Sequence, residues 1–255
     1  MANSPENTKT TTRSEPDYFV RFRLNQRIEH FVIMVAFIVL SVTGLAEKYY
    51  SAGWAVWVIL KLGGIEYTRL VHRIFGLVLT LNMVYHFSYL VYVLFVRRAR
   101  PTIMLSRKDV HDVLQMLRYG FGFGDKPPQF GRYDYRQKFE YWGVFLGGII
   151  MVVTGFILVY PLAITGIFPG QLVAASREAH GSEATLAVIV IVVWHLYDTI
   201  FKPGIFPGDT SIFTGKISRK RMLEEHPLEY VELVEAKPDE AASTPASPAP
   251  PPPPE

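Results

Sequence analysis

Apolar and polar positions along this chain fall into long blocks. Four apolar runs stand out, at about residues 30–46, 71–96, 141–162 and 180–201, the last becoming continuously apolar from Ala184. Each approaches the roughly 20 residues that an α-helix needs to cross the hydrocarbon core of a bilayer. The run GWAVWVILKLGG at 53–64 is shorter and contains Lys61. It predicts a short helix at the membrane interface, with Trp54 and Trp57 at headgroup level. The first 25 residues are polar and contain no apolar block of the kind that marks a cleavable leader. The predicted fold class is an all-α membrane protein, a bundle of four transmembrane helices.

Composition agrees with this pattern. Of 255 residues, 49% are hydrophobic, too many for an ordinary soluble domain of this size. The chain has no cysteine, which excludes disulfides, cysteine-ligated zinc, iron–sulfur clusters and haem attached through C-x-x-C-H. A net charge of +3 is uninformative as a total, but its placement is not. Basic residues crowd three regions: the N-terminal tail from Lys9 to Arg27, the middle loop from Arg97 to Lys138, and the segment from Lys202 to Arg221. The remaining two loops hold Lys48, Lys61, Arg69 and Arg177. The positive-inside rule then places both termini and the middle loop in the cytoplasm.

The polar blocks divide further. Residues 1–20 read as a polar tail, 21–216 as the four-helix domain, 217–240 as a cytoplasmic segment, and 241–255 as a proline-rich, disordered tail of polyproline II type. Within the middle loop, Ser106 and Asp109 have capping-box spacing, and Val110, Val113, Leu114 and Leu117 share one face. That predicts an amphipathic helix over about 106–119, lying on the inner membrane surface or on a partner. No internal repeat is strong enough to use, and nothing points to nucleic acid.

Of seven histidines, His111 and His226 read as ordinary surface residues. The other five, His30, His72, His86, His180 and His195, lie in or at the edges of spans. His72 and His86 are 14 residues apart, about 21 Å along a helix, and His180 and His195 are 15 apart, about 22 Å. At about 100° per residue, the two histidines of each helix share a broad face. Two helices thus offer imidazoles at two matching depths, and a polar group in lipid is costly without such a purpose. Opposed neutral imidazoles suit iron held on both axial sides in a non-covalent b-type haem. His30 lies at a depth similar to His86, so either could oppose His195, and spacing does not separate them. Gly76, one turn after His72, and Gly181, after His180, could admit a flat macrocycle. Gly44, Gly143, Gly147 and Gly148 could do the same or serve close helix packing. Arg73 is a candidate partner for a haem propionate, and Glu183 a candidate propionate or proton partner.

The stretches NQRIEHFVIMVAFIVLSVTGL, LVHRIFG, GRYDYRQKFEYWG and VVWHLYD resemble the membrane cytochrome b subunits of bacterial respiratory enzymes, across about residues 20–216. That group includes formate dehydrogenase gamma subunits and the cytochrome b subunits of thiosulfate reductase and nickel hydrogenase. The resemblance implies two b haems in the bacterial inner membrane, between a quinone (menaquinone or ubiquinone) near the cytoplasm and an extracytoplasmic iron–sulfur or multihaem cytochrome c subunit. It assigns His72 and His180 to the outer haem. The formate dehydrogenase pattern pairs His30 with His195 for the inner one. The 14-and-15 spacing looks more like the core of quinol-oxidising complexes and slightly favours His86 with His195; a spare histidine leaves room for a third haem. Asp134 and Arg136 stand where related subunits carry Asn and Gly beside the quinone. A quinone site near Glu29, His30, Asp134 and Arg136 is therefore expected, against the plainer reading of a solvated loop ion pair.

The function expected is transmembrane electron transfer as a subunit of an oxidoreductase complex, with no catalytic residue of its own. The competing classes are a histidine-based metal or proton transporter and a haem-free membrane anchor.

Overall fold

A computed structural model of the chain describes residues 17–99 and 101–235. The proline-rich tail at 241–255, most of the polar tail at 1–20, and Arg100 lie outside the described residues. Four helices are long and apolar enough to cross a membrane. They are α1 (Leu24–Lys48), α3 (Ile65–Val91, continued to Val96 by a π-helical turn), α5 (Tyr135–Val159) and α7 (Gln171–Val190, continued to Phe201 through two π-helical turns). The short α2 (Gly53–Lys61) carries the exposed Trp54 and Trp57. Between α2 and α3 the chain reverses through Gly63 and Gly64, at φ +92° and +106°. Two successive left-handed positions are open in practice only to glycine.

The four long helices run up and down in chain order. α1 packs on α3, α5 on α7, α1 on α7 and α3 on α5, which closes a ring. Their outer faces are apolar and exposed, for example Phe31, Ile74, Leu77, Leu81 and Leu146, as suits helices whose solvent is lipid. Apart from Lys138 near the start of α5, the buried positions are small or weakly polar: Ala36, Thr43 and Ala46 on α1, Thr68 on α3, Gly147 and Thr154 on α5, and Ser176 on α7. In lipid, helices associate by close backbone approach, and small residues permit it.

The end of the bundle where the described chain starts and finishes is capped by a small folded unit. Strand β1 (Tyr18–Val20) pairs antiparallel with β2 (Lys216–Ser218), in register Phe19 with Ile217. Phe19, Ile217 and Met222 form a buried core against Tyr230, where α9 (Arg219–Glu225) and α10 (Pro227–Glu235) fold back. Under this core, the buried Arg21 pairs with Glu229 at 2.9 Å, and Arg132 reaches the other Glu229 oxygen at 2.7 Å. His226, expected at the surface, is buried instead. Its Nδ1–H donates to the Gly131 carbonyl at 2.8 Å, which ties α9 to the loop before α5. The sequence alone hid this because the partner is a backbone group 95 residues away. The short α6 (Pro161–Thr165) and α8 (Ser211–Thr214) complete the connections.

The middle loop contains α4 (Arg107–Gly120), started by Ser106, whose backbone N–H donates to Asp109 Oδ2 at 2.6 Å. Helix α5 begins at Asp134, whose Oδ1 accepts from the Gln137 backbone N–H at 2.8 Å. The Gln137 side chain answers by accepting from the Asp134 backbone N–H, so two otherwise orphaned donors are satisfied.

Candidate functional site

Inside the ring of helices, four histidines form two facing pairs. The His72 ring of α3 and the His180 ring of α7 have centroids 6.3 Å apart, toward the end away from the termini. His30 of α1 and His195 of α7 have centroids 6.2 Å apart, toward the terminal end. An imidazole nitrogen stands about 2 Å from a first-row metal it binds, and about 1 Å separates that nitrogen from the ring centre, so two rings sharing one metal have centres about 6 Å apart. Both pairs have this separation.

The partners of these rings decide which nitrogen is available. Thr43 Oγ1 gives its hydrogen to the Val39 carbonyl at 2.7 Å and lies 2.8 Å from His72 Nδ1. A hydroxyl has one hydrogen. With it spent on the carbonyl, the threonine oxygen accepts from Nδ1–H, and Nε2 keeps its lone pair. Thr154 repeats this geometry: 2.6 Å to the Ile150 carbonyl and 2.9 Å to His180 Nδ1. At the other pair, Glu140 Oε1 lies 2.8 Å from His195 Nδ1, close in distance although outside good hydrogen-bond angles. At His72 and His180 the acceptor fixes the proton on Nδ1 and points to Nε2 as the ligating atom, the usual arrangement behind a metal-binding imidazole, and the carboxylate beside His195 Nδ1 favours the same tautomer by its charge.

His86 is placed differently. Its Nδ1 is 2.7 Å from Glu29 Oε2, and its Nε2 is 2.7 Å from the Tyr141 hydroxyl. Both ring nitrogens are occupied by neighbours on α1 and α5.

Small residues shape the space around the rings. A Cβ on Gly44 would come within 2.9 Å of His72 Cε1, and one on Gly155 within 3.4 Å of His180 Cε1. A Cβ on Gly147 would overlap Glu183 Oε1, so Glu183 lies against α5 one turn inward of His180. Gly76 has nothing within 4 Å of its missing Cβ. Gly181 is covered by Lys48, whose Nζ donates to the Gly181 carbonyl at 2.7 Å and to Thr185 Oγ1 at 2.9 Å. Arg73 is exposed beside His72. Asp134 and Arg136 form an ion pair at 2.7 Å, and Arg136 approaches Asp198 of α7 at 3.8 Å. Among the described residues, neither member of this pair makes a hydrogen bond or ion pair with Glu29, which is taken up by His86.

Sequence reasoning did not reach Thr43, Thr154, Glu140, Tyr141 or Lys48. A signal existed for the threonines: V-T-G occurs at 42–44 and again at 153–155, in the two spans that precede those bearing His72 and His180.

Two-ligand sites restrict the chemistry. Among the described residues no three His, Cys, Asp or Glu side chains converge to hold a metal ion. Two opposed imidazoles suit a metal whose remaining ligands arrive with it, as a porphyrin iron does. The residues present therefore fit a b-type haem. The fold and site define a transmembrane four-helix protein of the cytochrome b class.

Comparison with known proteins agrees. Residues 21–212 match the prokaryotic cytochrome b561 family, and the chain belongs to it. It is 24% identical over 224 residues to the cytochrome b556(Fdn) subunit of the nitrate-inducible formate dehydrogenase of Escherichia coli K12, covering 88% of this chain and 95% of the relative. It is 22% identical over 217 residues to the formate dehydrogenase cytochrome b556(fdo) subunit of the same strain, covering 85% and 94%. Haem b is accordingly the cofactor class, and transmembrane electron transport the role.

Proposed function

We propose that the chain holds two haems and passes electrons across the bacterial inner membrane between a quinone and an oxidoreductase partner. His72 and His180 hold one haem, and His30 and His195 the other. The observation that carries this is the matched geometry of the two pairs, 6.3 and 6.2 Å between ring centres. The hydrogen-bonded His86 stays outside the ligand set, against the slight preference that spacing gave it, and no third haem is required.

The basic residues support an orientation with both termini and the middle loop in the cytoplasm. The His72–His180 pair then lies near the outer face, where a catalytic iron–sulfur or multihaem cytochrome c subunit would dock. The relatives are named as subunits of formate dehydrogenase, which supports a partner of that oxidoreductase kind. The His30–His195 pair lies near the inner face, beside the quinone. Arg136, Asp134 and Asp198 bring charge from α5 and α7 to that end, and Glu29 brings a carboxylate from α1. These are the residues we assign to the quinone side, with menaquinone or ubiquinone as substrate.

Bound haem supplies reversible one-electron chemistry at iron. The protein holds Nδ1 protonated through Thr43 and Thr154, sets the Glu140 carboxylate beside His195 Nδ1, excludes water with apolar spans, and leaves Nε2 for ligation. Arg73 and Lys48 are the cations near the outer pair that would face a propionate.

Haem counting tests this reading. Wild-type protein should carry two b haems per chain by pyridine haemochrome assay. His72→Ala or His180→Ala should lose one, and His30→Ala or His195→Ala the other. His86→Ala should keep both. Loss of a haem from His86→Ala with retention in His30→Ala would overturn the inner assignment.

A further inference from the structure

Helix α4 is oriented against the habit of a soluble amphipathic helix. Its buried positions are the acids Asp109 and Asp112. Lys138 of α5 reaches Asp109 at 2.8 Å, and Lys108 pairs with Asp112 at 2.5 Å while also donating to the Gln129 carbonyl at 2.8 Å. Gln115 donates to the Lys126 carbonyl at 3.3 Å. The polar side of α4 is thus turned toward α5 and the segment 126–130.

The apolar side faces out. Val110, Leu114 and Leu117 are exposed, followed by Phe121 and Phe123, which are 74% and 77% exposed. At about 100° per residue, positions 110, 114, 117 and 121 fall within an arc of about 60°. Arg107 and Arg118 border one edge of that arc and are exposed as well. With its acids neutralised inside, the outer surface of α4 is apolar and basic.

The depth of this surface is set by α5. The indole N–H of Trp142 donates to the Ile103 carbonyl at 3.2 Å, and Lys138 holds Asp109. Both anchors lie within about 10 Å of the start of α5. That is the headgroup level of a spanning helix, where indole rings prefer to sit. Phe139, on the first turns of α5, is exposed there too, so the apolar face of α4 lies at the same level as the lipid-facing surface of the bundle.

We propose that α4 and the turn through Phe121 and Phe123 form an in-plane membrane anchor. The apolar stripe sinks to the boundary between acyl chains and headgroups, and Arg107 and Arg118 meet acidic lipid headgroups. An apolar face with bases along one edge at interfacial depth has the chemistry of a monotopic helix. The occupant is the lipid surface of the membrane that the four spans already cross. A soluble protein would have to reach the same face at headgroup depth.

The absence of cysteine makes the test direct. Leu114→Cys, Leu117→Cys and, as an aqueous control, Asp125→Cys are each spin-labelled in the full-length protein. All three side chains are exposed, so their replacement leaves the packing intact. The protein is reconstituted in phosphatidylcholine vesicles with and without phosphatidylglycerol. Labels at 114 and 117 should collide several-fold more with oxygen than with a water-soluble nickel chelate, the label at 125 should show the reverse, and phosphatidylglycerol should raise the oxygen preference at 114. Preferential collision with the nickel chelate at 114 and 117 overturns the proposal. So does shielding from both reagents, which would mean that protein covers the face. Identical ratios in the two vesicle types overturn its acidic-headgroup half. Val110→Cys reads the same face if either leucine variant fails to reconstitute.

Discussion

Thr43 and Thr154 have one role in two places. Each spends its hydroxyl hydrogen on its own helix, at the carbonyl four residues back, and so becomes an acceptor for a histidine across the interface. An imidazole that donates from Nδ1 is a stronger base at Nε2 and favours the ferric state of an iron it binds. Thr43→Val keeps the shape and removes the acceptor. Under the proposed assignment, outer-haem affinity should fall by about 10–100-fold. The midpoint potential of the haem that remains bound should rise in a spectroelectrochemical titration, with the inner haem unchanged. Glu140→Gln should have the same effect on the other haem, raising the inner potential and sparing the outer. A Thr43→Val protein whose two potentials match the wild type would show that the hydrogen bond only packs the ring. His86, by contrast, already spends both nitrogens on Glu29 and Tyr141, and an imidazole in that state has no lone pair left for a metal.

At the level of elements, the bundle is two similar helix pairs. α1 supplies Thr43–Gly44 to the His72 of α3, and α5 supplies Thr154–Gly155 to the His180 of α7. The threonine orients the ring, and the following glycine lets the helix approach it. Gly44→Ala tests the second part. Its methyl would stand 2.9 Å from His72 Cε1, so the ring must shift. Overpacking of this kind costs about 1–3 kcal/mol. The outer haem should be lost or its absorption band altered, while Gly53→Ala, with nothing within 4 Å, should leave the spectrum unchanged. The same pairs explain what the sequence revealed and what it withheld. Apolar length and histidine depth are one-dimensional quantities, so the four spans and the levels of the five histidines could be read directly. Which histidine faces which is a matter of rotation and of partners on other helices. Spacing gives His30 and His86 similar depth; what separates them is that the Glu29 and Tyr141 side chains hydrogen-bond to His86. The V-T-G repeat was visible, but its meaning depended on knowing that α1 touches α3 and α5 touches α7. The cap escaped because β1 and β2 have three residues each and pair across nearly the whole chain.

For the whole molecule, the cap joins the two ends of the described chain, residues 17–22 and 211–235, and closes over that end of the bundle, and its charges should make that closure depend on pH. Burial is the main cause that holds the His226 imidazole below the ordinary histidine value of 6.5; the Arg21 guanidinium adds to it, while the Gly131 carbonyl, Glu225 and Glu229 oppose it. A group whose folded value is depressed stabilises the fold above its unfolded value and ceases to as pH falls through the folded one. The His226 contribution should therefore fade below 6.5. A second, lower window belongs to Asp209. Burial pushes its carboxyl up, but hydrogen bonds from Arg221 and Ser211 outweigh this and pull it from 3.8 down to about 2. Its contribution fades only across that lower range. Hydrogen exchange of residues 216–230 in the full-length protein should accelerate between pH 7 and 5 relative to the centres of the spans, after correction for intrinsic exchange. His226→Asn can still donate to the Gly131 carbonyl but does not titrate in this range, so it should flatten that step while leaving the acid step of Asp209 in place. Asp209→Asn should remove the acid step alone. If exchange in the cap and in the spans rose in parallel in the wild type, the cap would have no separate pH response, and the ends of the chain would open only with the bundle itself.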